Sequence, residues 1–114
     1  MESAGQGRTW LEVALNGPWT RKHQPGIPVT VKEIVEEGIA CVKAGAAIVH
    51  AHAYDEATGT QTQDADVYAA IIQGIRSKVD AIVYPTIPAA GLGGEPGRHS
   101  SQQRFAHVEE LARR

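Results

Sequence analysis

A chain of 114 residues is long enough for one compact domain and too short for two. Its 42% hydrophobic and 21% charged residues are those of a globular protein and exclude disordered, collagen-like and disulfide-scaffold sequence. Eleven Lys and Arg against thirteen Asp and Glu give a net charge of −2, which offers no basic footprint, so nucleic acid is not an expected partner.

The elements follow in chain order. Over Thr9–Asn16, Leu11, Val13 and Leu15 alternate with Trp10, Glu12, Ala14 and Asn16, the period of a strand with one apolar face. Gly17-Pro18 ends it, and a loop rich in proline and basic residues runs to Thr30; loops of that length usually carry function. Thr30-Val31-Lys32-Glu33 has the form of a capping box, in which the threonine hydroxyl accepts the Glu33 amide proton and the Glu33 carboxylate accepts from the cap. Val31, Ile34, Val35, Gly38, Ile39 and Val42 then recur at helical spacing as far as Gly45, a left-handed stop. Ala46–His52 is a short apolar run of the kind that forms a buried parallel strand. Asp64 caps a second helix with Val67, Tyr68, Ile71, Ile72, Ile75 and Val79 on its apolar face, and Asp66 suits the positive end of its dipole. Asp80–Thr86 makes a third strand. After a Gly/Pro-rich loop from Pro88 to His99, Ser100-x-x-Gln103 opens a third helix whose expected buried face is Phe105, Val108, Leu111 and Ala112.

This β-α-β-α-β-α order, with about 35 residues from strand to strand, fits right-handed βαβ units on one parallel sheet. Three strands with their helices cover a sheet poorly, and a (β/α)8 barrel spends roughly 30 residues per unit. The expected class is α/β: the N-terminal three βα units of a TIM barrel over residues 9–114, preceded by a disordered tail at 1–8. The single cysteine, Cys41, allows no internal disulfide, suits a reducing compartment and is expected to be a buried, inert thiol. No stretch has the roughly 18 apolar residues of a membrane span, and the N-terminus lacks the apolar core of a signal peptide, so a cytoplasmic protein with no membrane partner is expected.

His50 and His52 carry the chemistry. Two residues apart on a strand, both rings project to one face, with Ile48 and Ala46 below them, at the C-terminal end where α/β active sites are built. Buried polar rings need partners, and two imidazoles so placed can share a divalent metal; the plainer alternative is a pair of core histidines with satisfied hydrogen bonds. Catalytic zinc takes three protein ligands and a water. Asp55, Glu56 and Glu12 are within range as a third, although each reads more simply as a solvated or supporting charge. His23, His99 and His107 read as solvated, and Gly91-Leu92-Gly93-Gly94 lacks the spacing of a dinucleotide-binding turn.

Ala14-Leu15-Asn16-Gly17, Pro28-Val29-Thr30 at the helix entry, and Ala44-Gly45-Ala46-Ala47-Ile48-Val49-His50-Ala51-His52 together resemble the β-keto acid cleavage enzyme family, continuously from Thr9 to about Thr86. The resemblance implies a (β/α)8 barrel that binds one Zn2+. It implies an exchange in which a β-keto acid and acetyl-CoA, the two small-molecule partners, give acetoacetate and a new CoA thioester. His50 and His52 match the family's zinc-ligating histidines, the metal acting as a Lewis acid on the β-keto oxygen. Asn16, Trp19 and Thr86 are the implied substrate-binding residues, with Thr86 at a position that helps hold the substrate carboxylate. Where an aminohexanoate-cleaving relative has a glutamate for the substrate amino group, this chain has Pro18-Trp19, which implies an aromatic wall for an apolar or neutral β-keto acid. The family's third ligand and its cleavage-assisting Arg and Asp lie on later strands, so no residue here inherits those roles, and the full-length form is expected to be a homo-oligomer.

Three alternatives stand beside this. An amidohydrolase-type hydrolase also carries His-x-His at a barrel strand end, but on its first strand. A cupin's His-x-His-x3-Glu is formally met by His50, His52 and Glu56, but cupins flank the pair with strands. The third is a non-catalytic barrel fragment.

Overall fold

The computed structural model describes residues 8–88 and 100–114. The expected tail therefore lies outside the described residues except for the exposed Arg8, as do His99 and the Gly91–Gly94 run. The elements are β1 (Glu12–Ala14), α1 (Thr20–His23), α2 (Val31–Lys43), β2 (Ile48–Ala51), α3 (Ala65–Arg76), β3 (Ile82–Pro85) and α4 (Ser101–Ala112). The strands form one parallel sheet in the order β1-β2-β3. This is an α/β fold in the arrangement of the opening βα units of a barrel. Among the described residues no helix is long and apolar enough to cross a membrane.

Local chemistry sets the starts of α2, α3 and α4. The Thr30 hydroxyl accepts from Glu33 N at 3.1 Å while Glu33 Oε2 accepts from Thr30 N at 3.0 Å, so the expected capping box is formed. Asp64 Oδ1 accepts from Asp66 N, and Ser100 with Gln103 makes the second capping box. The strands are shorter than their apolar runs. Backbone bonds from Ala47 N to Leu11 O and from Leu15 N to His50 O show the pairing continuing loosely at both ends of β1.

The register places Val13, Val49 and Val83 in one row and Ala14, His50 and Tyr84 in the next. Alternation then separates the faces. Val49 and Ala51, both buried, pack with Ile34, Ala53, Tyr68, Ile71 and Ile75, and Val13 and Val83 join them against α2 and α3. The opposite face carries Glu12, Ile48, His50, Ile82 and Tyr84; Ile82 is 51% exposed and Tyr84 38%. β2 is accordingly buried on one face and half-buried on the other, rather than on both as its composition suggests.

Four further expectations need correction. The loop after β1 contains the single helical turn α1, whose first residue, Thr20, has φ +60°, a backbone state a β-branched residue seldom adopts. Cys41 is half-buried rather than buried. The inward face of α4 is Arg104, His107, Val108 and Leu111, while Phe105 is 39% exposed. His107, read as solvated, is buried. Its Nε2 lies 2.8 Å from Thr86 O and Arg104 Nε donates to Pro88 O at 2.7 Å, two bonds that hold His107 and Arg104 inward beside Val108 and Leu111 while Phe105 and Ala112 face out.

Candidate functional site

His50 and His52 come together as the strand period requires, at the C-terminal end of β2, with ring centroids 5.3 Å apart and planes at 78°. Val49 and Ala51 between and before them are anchored in the core, which fixes the direction of both rings. Desolvation holds His50 below the usual imidazole range. The neighbouring His52 adds to that shift, while Glu12 and the Tyr84 carbonyl oppose it. A neutral ring with an available lone pair is the form that binds a metal. His50 Nδ1 is buried and, among the described residues, without a partner.

His52 is held from several sides. Its backbone N–H donates to Asn16 Oδ1 at 2.9 Å, its carbonyl accepts from Asn16 Nδ2 at 2.9 Å, and its ring Nδ1 lies 2.7 Å from Gln61 Oε1. Asn16 Nδ2 also donates to Pro28 O at 3.0 Å, so this buried amide ties the ends of β1 and β2 to the loop that enters α2. Asn16, expected as a substrate contact, directs both its donors to backbone carbonyls, those of Pro28 and His52.

Thr86 sits just beyond β3, buried, with its N–H donating to Ala51 O at 3.2 Å and its carbonyl held by His107. The Tyr68 hydroxyl, deep in the core, accepts from Ala53 N at 3.1 Å, and burial pushes its pKa up. Trp19 is 63% exposed on the loop after β1. The Tyr54 hydroxyl pins that loop by donating to Gly17 O and accepting from Thr20 N at 3.3 Å. On the open face of the sheet, the Tyr84 hydroxyl donates to Glu12 Oε2, which raises its pKa, and its ring stands 4.5 Å from that of His50.

Of the acidic candidates for a third ligand, Glu12 lies on the same sheet face as His50 with its carboxylate taken by the Tyr84 hydroxyl, and Glu56 and Asp55 point elsewhere. Glu56 Oε1 accepts from Val31 N at the start of α2, and Asp55 Oδ1 accepts from Ala57 N and Thr58 N within its own turn. The cupin-like set of His50, His52 and Glu56 is thus not assembled, and helices flank the pair. Among the described residues no group of three His, Cys, Asp or Glu is placed to hold a metal ion. The two imidazoles nevertheless suit one: both lie at a strand end, one with its pKa held down by burial and the other braced at Nδ1. The polar partners Gln61, Tyr84 and Tyr54 carry no local signature in the sequence, since a lone polar residue in a turn or on a strand has no periodic or capping pattern.

The model of the beta-keto acid cleavage enzymes matches residues 8–113. A 3-keto-5-aminohexanoate cleavage enzyme from Fusobacterium nucleatum is 40% identical over 72 residues, 62% of this chain and 26% of the relative. A 3-dehydrocarnitine:acetyl-CoA trimethylamine transferase from Rhizobium meliloti is 41% identical over 70 residues, 60% of this chain and 22% of the relative. A 3-oxoadipate:acetyl-CoA acetyltransferase from Cupriavidus necator is 34% identical over 90 residues, 76% of this chain and 31% of the relative. The chain thus spans between 22% and 31% of the length of these curated relatives. With its strand order, its helix entries and its histidine pair in place, the chain belongs to the β-keto acid cleavage enzyme family.

Proposed function

We propose that the protein cleaves a β-keto acid with acetyl-CoA, giving acetoacetate and a new acyl-CoA, around a Zn2+ held by His50 and His52. The observation that carries this reading is the pairing of the two imidazoles at the end of β2, with centroids 5.3 Å apart, in a chain of this family. When bound, the zinc supplies a Lewis acid for the substrate's β-keto oxygen. Asn16 keeps His52 in place, and Thr86 is the residue for the substrate carboxylate. Trp19 provides an aromatic wall that favours an apolar or neutral β-keto acid over an amino-bearing one. A homo-oligomeric assembly and a cytoplasmic location accompany this reading.

Titration with Zn2+ tests the ligand assignment: binding is expected in the wild-type chain and lost in His50→Ala and His52→Ala. Unchanged binding in both variants would overturn it. Acetoacetate formation from acetyl-CoA, followed over a panel of apolar, neutral, amino-bearing and trimethylammonium β-keto acids, tests the substrate. Preference for the amino-bearing member would sink the aromatic-wall reading.

A further inference from the structure

The two histidines are not held alike. His50 Nδ1 has no partner among the described residues, whereas His52 Nδ1 faces Gln61 Oε1 at 2.7 Å. Gln61 is not free to wander. It forms an antiparallel bridge with Tyr54, two residues beyond His52. The turn between them is closed by Asp55 N to Thr60 O at 2.8 Å, Gly59 N to Asp55 O at 2.8 Å and Thr62 N to Ala53 O at 2.9 Å. Gly59 occupies the left-handed region at φ +73°, and the Asp55 carboxylate accepts the amide protons of Ala57 and Thr58. A self-sufficient turn therefore delivers one amide oxygen to one ring nitrogen.

An amide oxygen can only accept, and a neutral imidazole carries its proton on one nitrogen only. The contact thus requires the proton on Nδ1 and leaves the lone pair on Nε2. We infer that Gln61 is a positioning residue that fixes His52 in its Nδ1–H tautomer, presenting Nε2 as the pre-set metal-binding arm of the pair. The assignment of Nε2 to metal rests on the zinc reading above; the tautomer does not. Second-sphere partners of this kind typically contribute 10- to 100-fold in metal affinity.

The test uses the 114-residue chain with 15N-labelled histidine, whose ring nitrogen shifts report the tautomer without metal, followed by titration with Zn2+ alone. In the wild type, His52 Nδ1 is expected to be protonated. In Gln61→Leu the tautomer population is expected to move toward Nε2–H and Zn2+ binding to weaken about 10- to 100-fold. Gln61→Glu, which keeps an acceptor oxygen, is expected to retain both the tautomer and the affinity, which separates the bond from the bulk of the side chain. If Gln61→Leu does not fold, the wild type and Gln61→Glu still decide the tautomer. An unprotonated Nδ1 in the wild type, or a Gln61→Leu chain with tautomer and affinity unchanged, would overturn the inference. A locked tautomer in a wild-type chain that binds no Zn2+ would support the lock and overturn the zinc reading instead.

Discussion

Asn16 joins three segments through one buried side chain, bonding Pro28 O, His52 O and His52 N. Truncation leaves the buried Pro28 carbonyl and the half-buried carbonyl and amide hydrogen of His52 short of partners, a fully buried group costing about 1–3 kcal/mol when no water enters. Asn16→Ala is expected to lower the free energy of unfolding by about 2–3 kcal/mol in urea denaturation, and to weaken Zn2+ binding by releasing the end of β2. Glu33 does comparable work on the surface. Its carboxylate accepts from Val29 N, Thr30 N and Arg21, and these bonds, that of Arg21 foremost, lower its pKa from 4.5 to about 2. A depressed carboxylate stabilises the fold fully above its unfolded pKa and loses that contribution as pH falls through the folded one. The wild type should therefore lose stability between about pH 4.5 and 2 more steeply than Glu33→Gln, read as urea midpoints across that window. Parallel profiles would remove Glu33 from the account.

Packing between α2 and α3 depends on a reciprocal fit. A Cβ on Gly38 would come within 2.6 Å of Ile75 Cδ1, and one on Gly74 within 2.7 Å of Val35 Cγ2. Alanine ordinarily gains about 1 kcal/mol over glycine inside a helix, whereas overpacking costs about 1–3 kcal/mol. At Gly74 the neighbour is a valine with essentially one helical rotamer, which cannot swing aside, so overpacking wins. Gly74→Ala is expected to be net destabilising by about 1–2 kcal/mol, with a lower thermal midpoint; a raised midpoint would show that the helices separate freely. Three of the four helices were legible in the sequence because their signals are local; α1, which has no side-chain cap, was not. Thr30-x-x-Glu33, Asp64 and Ser100-x-x-Gln103 each bond within three residues of themselves, and all three caps are formed. The facing of α4 was legible only in part: Val108 and Leu111 lie inward as their spacing predicts, but Phe105 and Ala112 are exposed, while His107 and Arg104 bond the carbonyls of Thr86 and Pro88, partners that exist only once β3 lies alongside.

Across the molecule the sheet is two-sided. One face is filled by the α2 and α3 side chains, and no described residue covers the other, where Ile82 and Tyr84 stand beside His50. Exposed apolar surface of this kind binds apolar probes. The chain is expected to enhance the fluorescence of an apolar dye, and Ile82→Lys to reduce that enhancement without lowering the urea midpoint, since Ile82 is already 51% exposed. An unchanged signal would place the dye elsewhere. The sequence by itself determined the βα order, the starts of α2, α3 and α4 and the pairing of His50 with His52, because each follows from a period or a bond spanning a few residues. Only the tertiary structure decided what surrounds that pair. Asn16 and Gln61 reach His52 from 36 and 9 residues away, and Tyr84 reaches Glu12 across 72. Contacts at such separations are set by strand register and turn closure, which no local pattern encodes.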